Sequence, residues 1–290
     1  MSTREASTAE ASGITALAAR RPLTVFLALV FGLGWPVLAV PVVAEHGLIP
    51  GGELPVEIFA LAVTLFVMLP AALWVTAASE GRSAVRQLLG RAFRWRFRLR
   101  WWVLVLLAVP ITTLALGLAV GGSLHTVRAV ENLLAGAASA LIAWLVIHLW
   151  EETVWAGFLQ TRLERRYSLL VAALLTAVPF AAMHLPLLLI GDVTVRSVLV
   201  DVAGLLFLAV ALRLMIGVFL RGAADSVLAA GILHAVFNAS NNEGALVDNF
   251  LDGANQNVVG PVAMVLATAV LAACIRERLG RSFRAAEGSG

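Results

Sequence analysis

Two adjacent carboxylates, Glu151 and Glu152, lie within a segment that is otherwise apolar and extends from residue 133 past residue 158. A carboxylate at the centre of a bilayer helix costs about 2.5–3.5 kcal/mol on insertion scales, so such a group is by default a candidate for a functional site. His148 precedes the pair by three and four residues, which places all three side chains on one side of a helix. Two adjacent carboxylates are hard to explain by packing, so the cluster indicates a functional site, and a purely structural pair of glutamates is the alternative.

Two further apolar segments carry polar side chains at helical spacing. His184 follows Phe180 by four residues, and Asn238 follows His234 by four residues, so each pair shares a helix face. Either segment alone favours a packing role for its histidine. Because three separate segments each bring such groups into an apolar interior, they favour one shared site over three independent packing roles.

The composition indicates the architecture that must position these groups. The chain is 60% hydrophobic and 13% charged over 290 residues, which is typical of a polytopic membrane protein rather than a soluble domain. We therefore predict an all-α membrane bundle of about eight transmembrane helices, and the first apolar run, residues 23–44, is long enough to cross a hydrocarbon core of about 30 Å. The apolar runs cover residues 23–44, 58–78, 101–122, 133–150, 169–190, 198–220, a shorter run at 227–239, and 258–275.

These runs divide the chain into a disordered cytoplasmic tail (residues 1–19), a single transmembrane domain (20–281) and a flexible C-terminal tail (282–290). Basic residues cluster at alternate connections between the runs, which predicts an even number of crossings and two cytoplasmic termini. The net charge of +3 is small, so the arginines indicate membrane orientation and not nucleic-acid binding. We expect a multi-pass protein of the plasma membrane. Its expected partners are the lipid bilayer and a membrane-associated peptide or protein substrate.

Two other charged residues lie inside an apolar run. Asp201 and Arg213 are twelve positions apart, about 18 Å along a helix, so they are too distant to pair with each other. We expect Arg213 to extend toward the cytoplasmic end of its helix and Asp201 to lie near the outer end. Neither is assigned to the site.

The ordered set of motifs resembles the CAAX protease and bacteriocin-processing family, intramembrane proteases that include the CAAX prenyl endopeptidases. The resemblance rests on Glu151-Glu152-x-x-Trp-Ala-Gly-Phe, on Phe180-x-x-x-His184 and on His234-x-x-x-Asn238. One position departs from the family pattern. The first motif of the family usually reads Glu-Glu-x-x-x-Arg, and Ala156 occupies the position of the arginine, which puts the activity or the substrate class in question. Arg162, further along the same helix, is a candidate substitute.

The resemblance implies hydrolysis of peptide bonds within the membrane. Glu151 would act as general base on a water molecule that His184 helps to hold, and Glu152 would orient its neighbours. His234 and Asn238 would stabilise the tetrahedral oxyanion. Alternatively, Glu151, His184 and His234 would bind Zn²⁺ with an open position for water, as in metalloproteases. The sequence does not choose between these two mechanisms.

Two functions of other classes compete with the protease. One is a non-catalytic membrane protein, such as an immunity or scaffold factor that retains the protease fold. The other is a proton- or metal-coupled transporter, which predicts discontinuous helices and often an internal repeat. The sequence contains no such repeat, so the transporter ranks third.

Overall fold

The computed structural model describes residues 13–191, 193–242, 245–253, 259–260, 262–270 and 272–273. Helices dominate this part of the chain, which confirms the predicted all-α class. Their bounds are α1 (Ile14–Arg20), α2 (Pro22–Glu45), α3 (Val56–Ala92), α4 (Leu99–Ala119), α5 (Ala129–Glu164), α6 (Leu169–Leu189), α7 (Val195–Gly222) and α8 (Val227–Asn241). The antiparallel pair β1 (Ser123–Leu124) and β2 (Leu251–Asp252) joins two loops at one end of the bundle.

Six helices, α2 to α7, are long and apolar enough to cross a membrane within the part of the chain that the structure describes. Helix α8 is apolar but has only 15 residues. Residues 259–260, 262–270 and 272–273 are also helical, within the last predicted run. The polytopic bundle is therefore confirmed, while the count of eight crossings stays a prediction.

The predicted N-terminal tail overlaps helix α1, which covers residues 14–20. Residues 1–12 and the predicted C-terminal tail lie outside the described residues. One residue, Arg21, separates α1 from α2, and Pro22 is the first residue of α2. Proline has no backbone N–H, and at this position a helix does not need one.

The second half of α5 is the central element of the bundle. All residues from 151 to 160 are buried, whereas the first half of the helix is largely exposed. Aromatic side chains pack around this half: Phe26 of α2 contacts Phe158 at 4.6 Å between ring centroids, and Phe180 of α6 meets the edge of Trp155 at 5.7 Å. The two glutamates thus lie where α5 enters the protein interior.

Helix α3 bends, and the segment after the bend packs against the C-terminal half of α5. Gly81 has φ 84° and ψ 173°, a conformation that glycine adopts without steric cost, and the helix continues beyond it to Ala92. In this second arm Arg91 donates through Nη1 to the carbonyl of Gly157 at 3.0 Å and pairs with Asp225 in the turn before α8 at 2.5 Å. The arm therefore links α5 to the turn between α7 and α8.

Candidate active site

The glutamate pair lies between two stretches of wider, π-type helix. Residues Trp144–His148 and Thr153–Gln160 have π geometry, and the ordinary helical turn Leu149–Glu152 separates them. Such turns are rare and are frequently found at functional sites, because the extra residue per turn changes the direction of nearby side chains. The local geometry of α5 therefore differs from the regular helix on which spacing arguments rest.

Helix α8 crosses α5 in direct backbone contact. A Cβ atom on Gly231 would lie 2.9 Å from Cα of Leu149, too close for two carbon atoms, and 3.2 Å from the carbonyl oxygen of His148, a tight contact. Glycine at this position lets α8 approach closely, and His234 follows it by about one helical turn. The crossing thus brings His234 against the glutamate pair.

His148 connects Glu151 to Asn238. Its Nδ1 lies 3.1 Å from Oε2 of Glu151, and its Nε2 lies 3.2 Å from the side-chain nitrogen of Asn238. With this amide orientation, Asn238 donates to Nε2 and the Nδ1–H donates to the carboxylate, which is a consistent pattern for a neutral imidazole. One histidine therefore fixes the positions of two predicted site residues.

Glu152 is held from two other helices. Arg213 of α7 donates to Oε2 through Nη1 at 2.8 Å and to Oε1 through Nη2 at 2.5 Å, and Nδ1 of His234 lies 2.8 Å from Oε1. Glu152 and Arg213 are fully buried, whereas Glu151 retains 8% exposure. Glu152 is thus fixed by hydrogen bonds on both oxygens, and Glu151 is the less completely buried member of the pair.

The contact of Arg213 corrects the prediction made for it. Instead of extending toward a helix end, its side chain turns inward and forms a two-bond ion pair with Glu152. A buried guanidinium and a buried carboxylate each need a charge partner, and the parallel pair of hydrogen bonds from Nη1 and Nη2 provides it, while Nε of Arg213 makes no hydrogen bond within the described residues. Asp201, in contrast, is exposed.

His184 lies at the edge of this cluster. Its Nδ1 bonds the carbonyl oxygen of Phe180 at 2.8 Å, and the Phe180 ring lies 5.0 Å from the ring of His184 and 6.0 Å from that of His234. Phe180 therefore contacts both histidines. The rings of His148 and His234 approach more closely, with centroids 4.2 Å apart.

A group with metal-ligand spacing exists within the cluster. One ligand atom from each of His148, Glu151 and His234 lies within 4.8 Å of the others. The group contains two of the three predicted zinc ligands, with His148 in place of His184. His234 also donates to Glu152, the carboxylate–histidine arrangement that orients histidine ligands in zinc sites. The residue types fit Zn²⁺ with an open position, but both ring nitrogens of His148 are bonded to Glu151 and Asn238, so His148 would have to release one of them to bind the metal.

A comparison with protein-family models identifies this part of the chain. Residues 132–240 match the model described as type II CAAX prenyl endopeptidase Rce1-like. These residues form an Rce1-like domain. The match extends from the first half of α5 to the end of α8 and includes every residue of the cluster. No curated protein matches the chain.

The position of Ala156 in the Rce1-like domain was the main departure from the family pattern. Arg162 does not compensate for it, because its side chain pairs with Glu80, donates to Thr76 at 3.0 Å and lies over the Phe158 ring. The guanidinium that reaches the glutamate pair comes instead from Arg213. The domain thus has an arginine at its carboxylates, supplied by a different helix.

A cavity of about 370 Å³ reaches the cluster from the β1–β2 end of the bundle. Its walls are mainly small side chains of α5 and α8, including Ala140 and Ala239, and its polar lining includes Ser139 and Asn242. His148 and Asn238 line it as well. The cavity therefore connects the bonded pair of His148 and Asn238 to space outside the helix core.

Proposed function

We propose that the chain is an intramembrane endopeptidase that cleaves membrane-associated peptides or proteins by means of water activated by Glu151. The observation that carries the proposal is that the two adjacent glutamates differ in hydrogen bonding and in burial. Glu152 accepts three hydrogen bonds and is fully buried, whereas Glu151 accepts one from His148 and keeps 8% exposure. A base needs this free capacity to accept a proton from water.

In the proposed reaction, Glu151 takes a proton from water as the hydroxide oxygen bonds to the scissile carbonyl carbon. The carbonyl oxygen becomes an oxyanion that accepts hydrogen bonds from Asn238 and from His234 in its doubly protonated form. The C–N bond then breaks, and Glu151 returns its proton to the leaving amine. His184 contributes by holding the water, and Glu152 orients His234 through Nδ1.

The charge balance of the cluster supports a proton on one of the imidazoles. Two carboxylates, Glu151 and Glu152, and one guanidinium, Arg213, leave one uncompensated negative charge in a buried region. A buried net charge is costly. One proton on His234 would offset this negative charge, at the cost of charging a buried imidazole, and would supply the Nε2–H donor that an oxyanion requires.

Zinc bound by His148, Glu151 and His234 is the alternative, and it would supply a Lewis acid and an activated water. Purified protein assayed on membrane-anchored peptides, before and after exhaustive chelation, separates the two mechanisms. We expect cleavage in both samples and no stoichiometric zinc. Zinc at one equivalent, loss of cleavage on its removal and recovery on its return would make Glu151 a ligand instead of the base. Absence of cleavage in every sample would favour the non-catalytic membrane protein.

We also propose that the protein is inserted in the plasma membrane with both termini in the cytoplasm. Arginines cluster in the connections α3–α4 and α5–α6 and at the end of α7, which share one side if each helix from α2 to α7 crosses the membrane. Arg128 and Arg196 lie on the other side, and Arg128 is paired with Glu131. A reporter that is active only in the cytoplasm should therefore give signal when fused to the C-terminus. Signal only from a reporter that is active outside the cell would show that the chain has one crossing fewer than predicted.

A further inference from the structure

Arg213 makes more contacts in the site than charge neutralisation requires. Its two terminal nitrogens bond both oxygens of Glu152, and one of these oxygens, Oε1, also receives Nδ1 of His234. The three side chains come from α7, α5 and α8, so the chain Arg213–Glu152–His234 joins three helices. None of its members is exposed by more than 5%.

We propose that Arg213 is a positioning residue of the hydrolytic site: it fixes the carboxylate of Glu152, and through that carboxylate it fixes the ring orientation of His234. The inference rests on the peptidase function proposed above. Arg213 does not touch the reacting atoms in this scheme and acts only through Glu152.

The geometry gives the guanidinium a role that a simple positive charge lacks. A glutamate side chain rotates about several bonds, and a single hydrogen bond leaves the plane of its carboxylate free. The planar fork of arginine bonds both oxygens at once and sets that plane. With the plane set, Oε1 occupies a defined position for the Nδ1–H of His234. A hydrogen bond at one ring nitrogen determines which face and which nitrogen of the imidazole remain available, here Nε2.

Arg213 is itself held in place. Its backbone carbonyl accepts a hydrogen bond from Nε2 of Gln160 at 3.1 Å, and its guanidinium carbon lies 4.5 Å from the centroid of the Phe180 ring. Phe180 in turn contacts His234. A residue that aligns others must be fixed by its own surroundings, and these contacts with α5 and α6 provide that support.

The discriminating variant is Arg213→Lys, which keeps the positive charge beside Glu152 but loses the fork. Arg213→Met is less informative, because it leaves a buried carboxylate without its counter-charge and is expected to destabilise the fold. Arg162→Lys is the matched control. Arg162 is also an arginine in ion-pair contact with a glutamate, Glu80, and it lies over an aromatic ring away from the cluster.

Two measurements are made on each purified variant. The first is kcat and KM for a membrane-anchored peptide, normalised to folded protein. The second is the side-chain ¹⁵N spectrum of the five histidines, in which the His234 signals are assigned by their loss in His234→Phe. The second measurement does not depend on turnover.

For Arg213→Lys we expect kcat to fall by about 10- to 100-fold, the usual effect of removing an orienting partner, while KM changes by less than about threefold. The Nδ1 signal of His234 should shift or broaden. Arg162→Lys should leave kcat and the His234 signals unchanged. An Arg213→Lys enzyme with wild-type kcat and an unchanged His234 spectrum would overturn the proposal and leave Arg213 a charge partner only.

The spectrum also separates this proposal from the proposed function. If the wild-type protein cleaves no peptide, the proposed peptidase function is wrong. A His234 signal that still shifts in Arg213→Lys would then show that Arg213 positions His234 even without peptidase activity. If the wild type cleaves and the His234 signal does not respond, the positioning role fails alone.

Discussion

Replacing Glu151 with glutamine should lower the rate of peptide hydrolysis by about 10²-fold or more and leave the fold intact. The amide has nearly the same volume and keeps an oxygen that accepts the hydrogen bond from His148, which lies 3.1 Å from the carboxylate. It does not accept a proton from water at neutral pH, so the attack on the carbonyl loses its base. Initial rates on a membrane-anchored peptide, together with the melting temperature, measure the two parts of the expectation.

The matched control for this variant is Glu131→Gln on the same helix. Glu131 is exposed and pairs with Arg128 near the start of α5, far from the cluster, so its loss should change the rate by less than about twofold, the scale of a weak surface ion pair. Glu151→Gln protein that hydrolyses peptide as fast as wild type would show that Glu151 is not the base.

His234→Phe should lower kcat by about 10²- to 10³-fold, the range seen when one oxyanion donor is removed. Phenylalanine preserves an aromatic ring beside His148 and Phe180, whose centroids lie 4.2 and 6.0 Å from the His234 ring. It removes both ring nitrogens. Glu152 keeps both bonds from Arg213, but the cluster returns to one uncompensated negative charge, so the melting temperature should fall and kcat is normalised to folded protein.

The control for the histidine variant is His125→Phe. His125 lies in the loop before α5, beside Asp252 and partly exposed, and its replacement should leave kcat within about twofold because exposed ion pairs contribute little. Equal losses in both variants, or wild-type kcat in His234→Phe, would rule out a donor role for His234.

The sequence predicted the helices well because each apolar run is long and bounded by charged or turn-forming residues. The predicted run at 169–190, for example, agrees with α6 (Leu169–Leu189), and the run at 198–220 lies within α7 (Val195–Gly222). The contact of His148 with Glu151 also follows from spacing, since residues three apart on a helix are neighbours.

The partner of Glu152 was beyond sequence analysis. Arg213 lies 61 residues further along the chain, and its inward direction depends on how α7 packs against α5 and α6. The general tendency of arginine to extend to a helix end predicted the opposite. A buried carboxylate pair needs a counter-charge, and this requirement was the signal in the sequence that could have identified an intramembrane arginine as its partner.

The π-type turns on either side of Leu149–Glu152 were equally unpredictable. Spacing rules assume 3.6 residues per turn, and Trp144–His148 and Thr153–Gln160 depart from that value. The relation of His184 to the cluster has a similar cause. Helix α6 passes into a tighter turn at Leu185, so the position of His184 relative to Glu151 depends on the end of the helix and on its tilt.

The backbone contact at Gly231 has a mechanical consequence. Because no side chain separates α8 from α5 at Leu149, the two backbones are in direct contact there. We therefore expect the two helices to move together. The base on α5 and the amide and imidazole on α8 therefore keep their mutual distances during any breathing motion of the bundle.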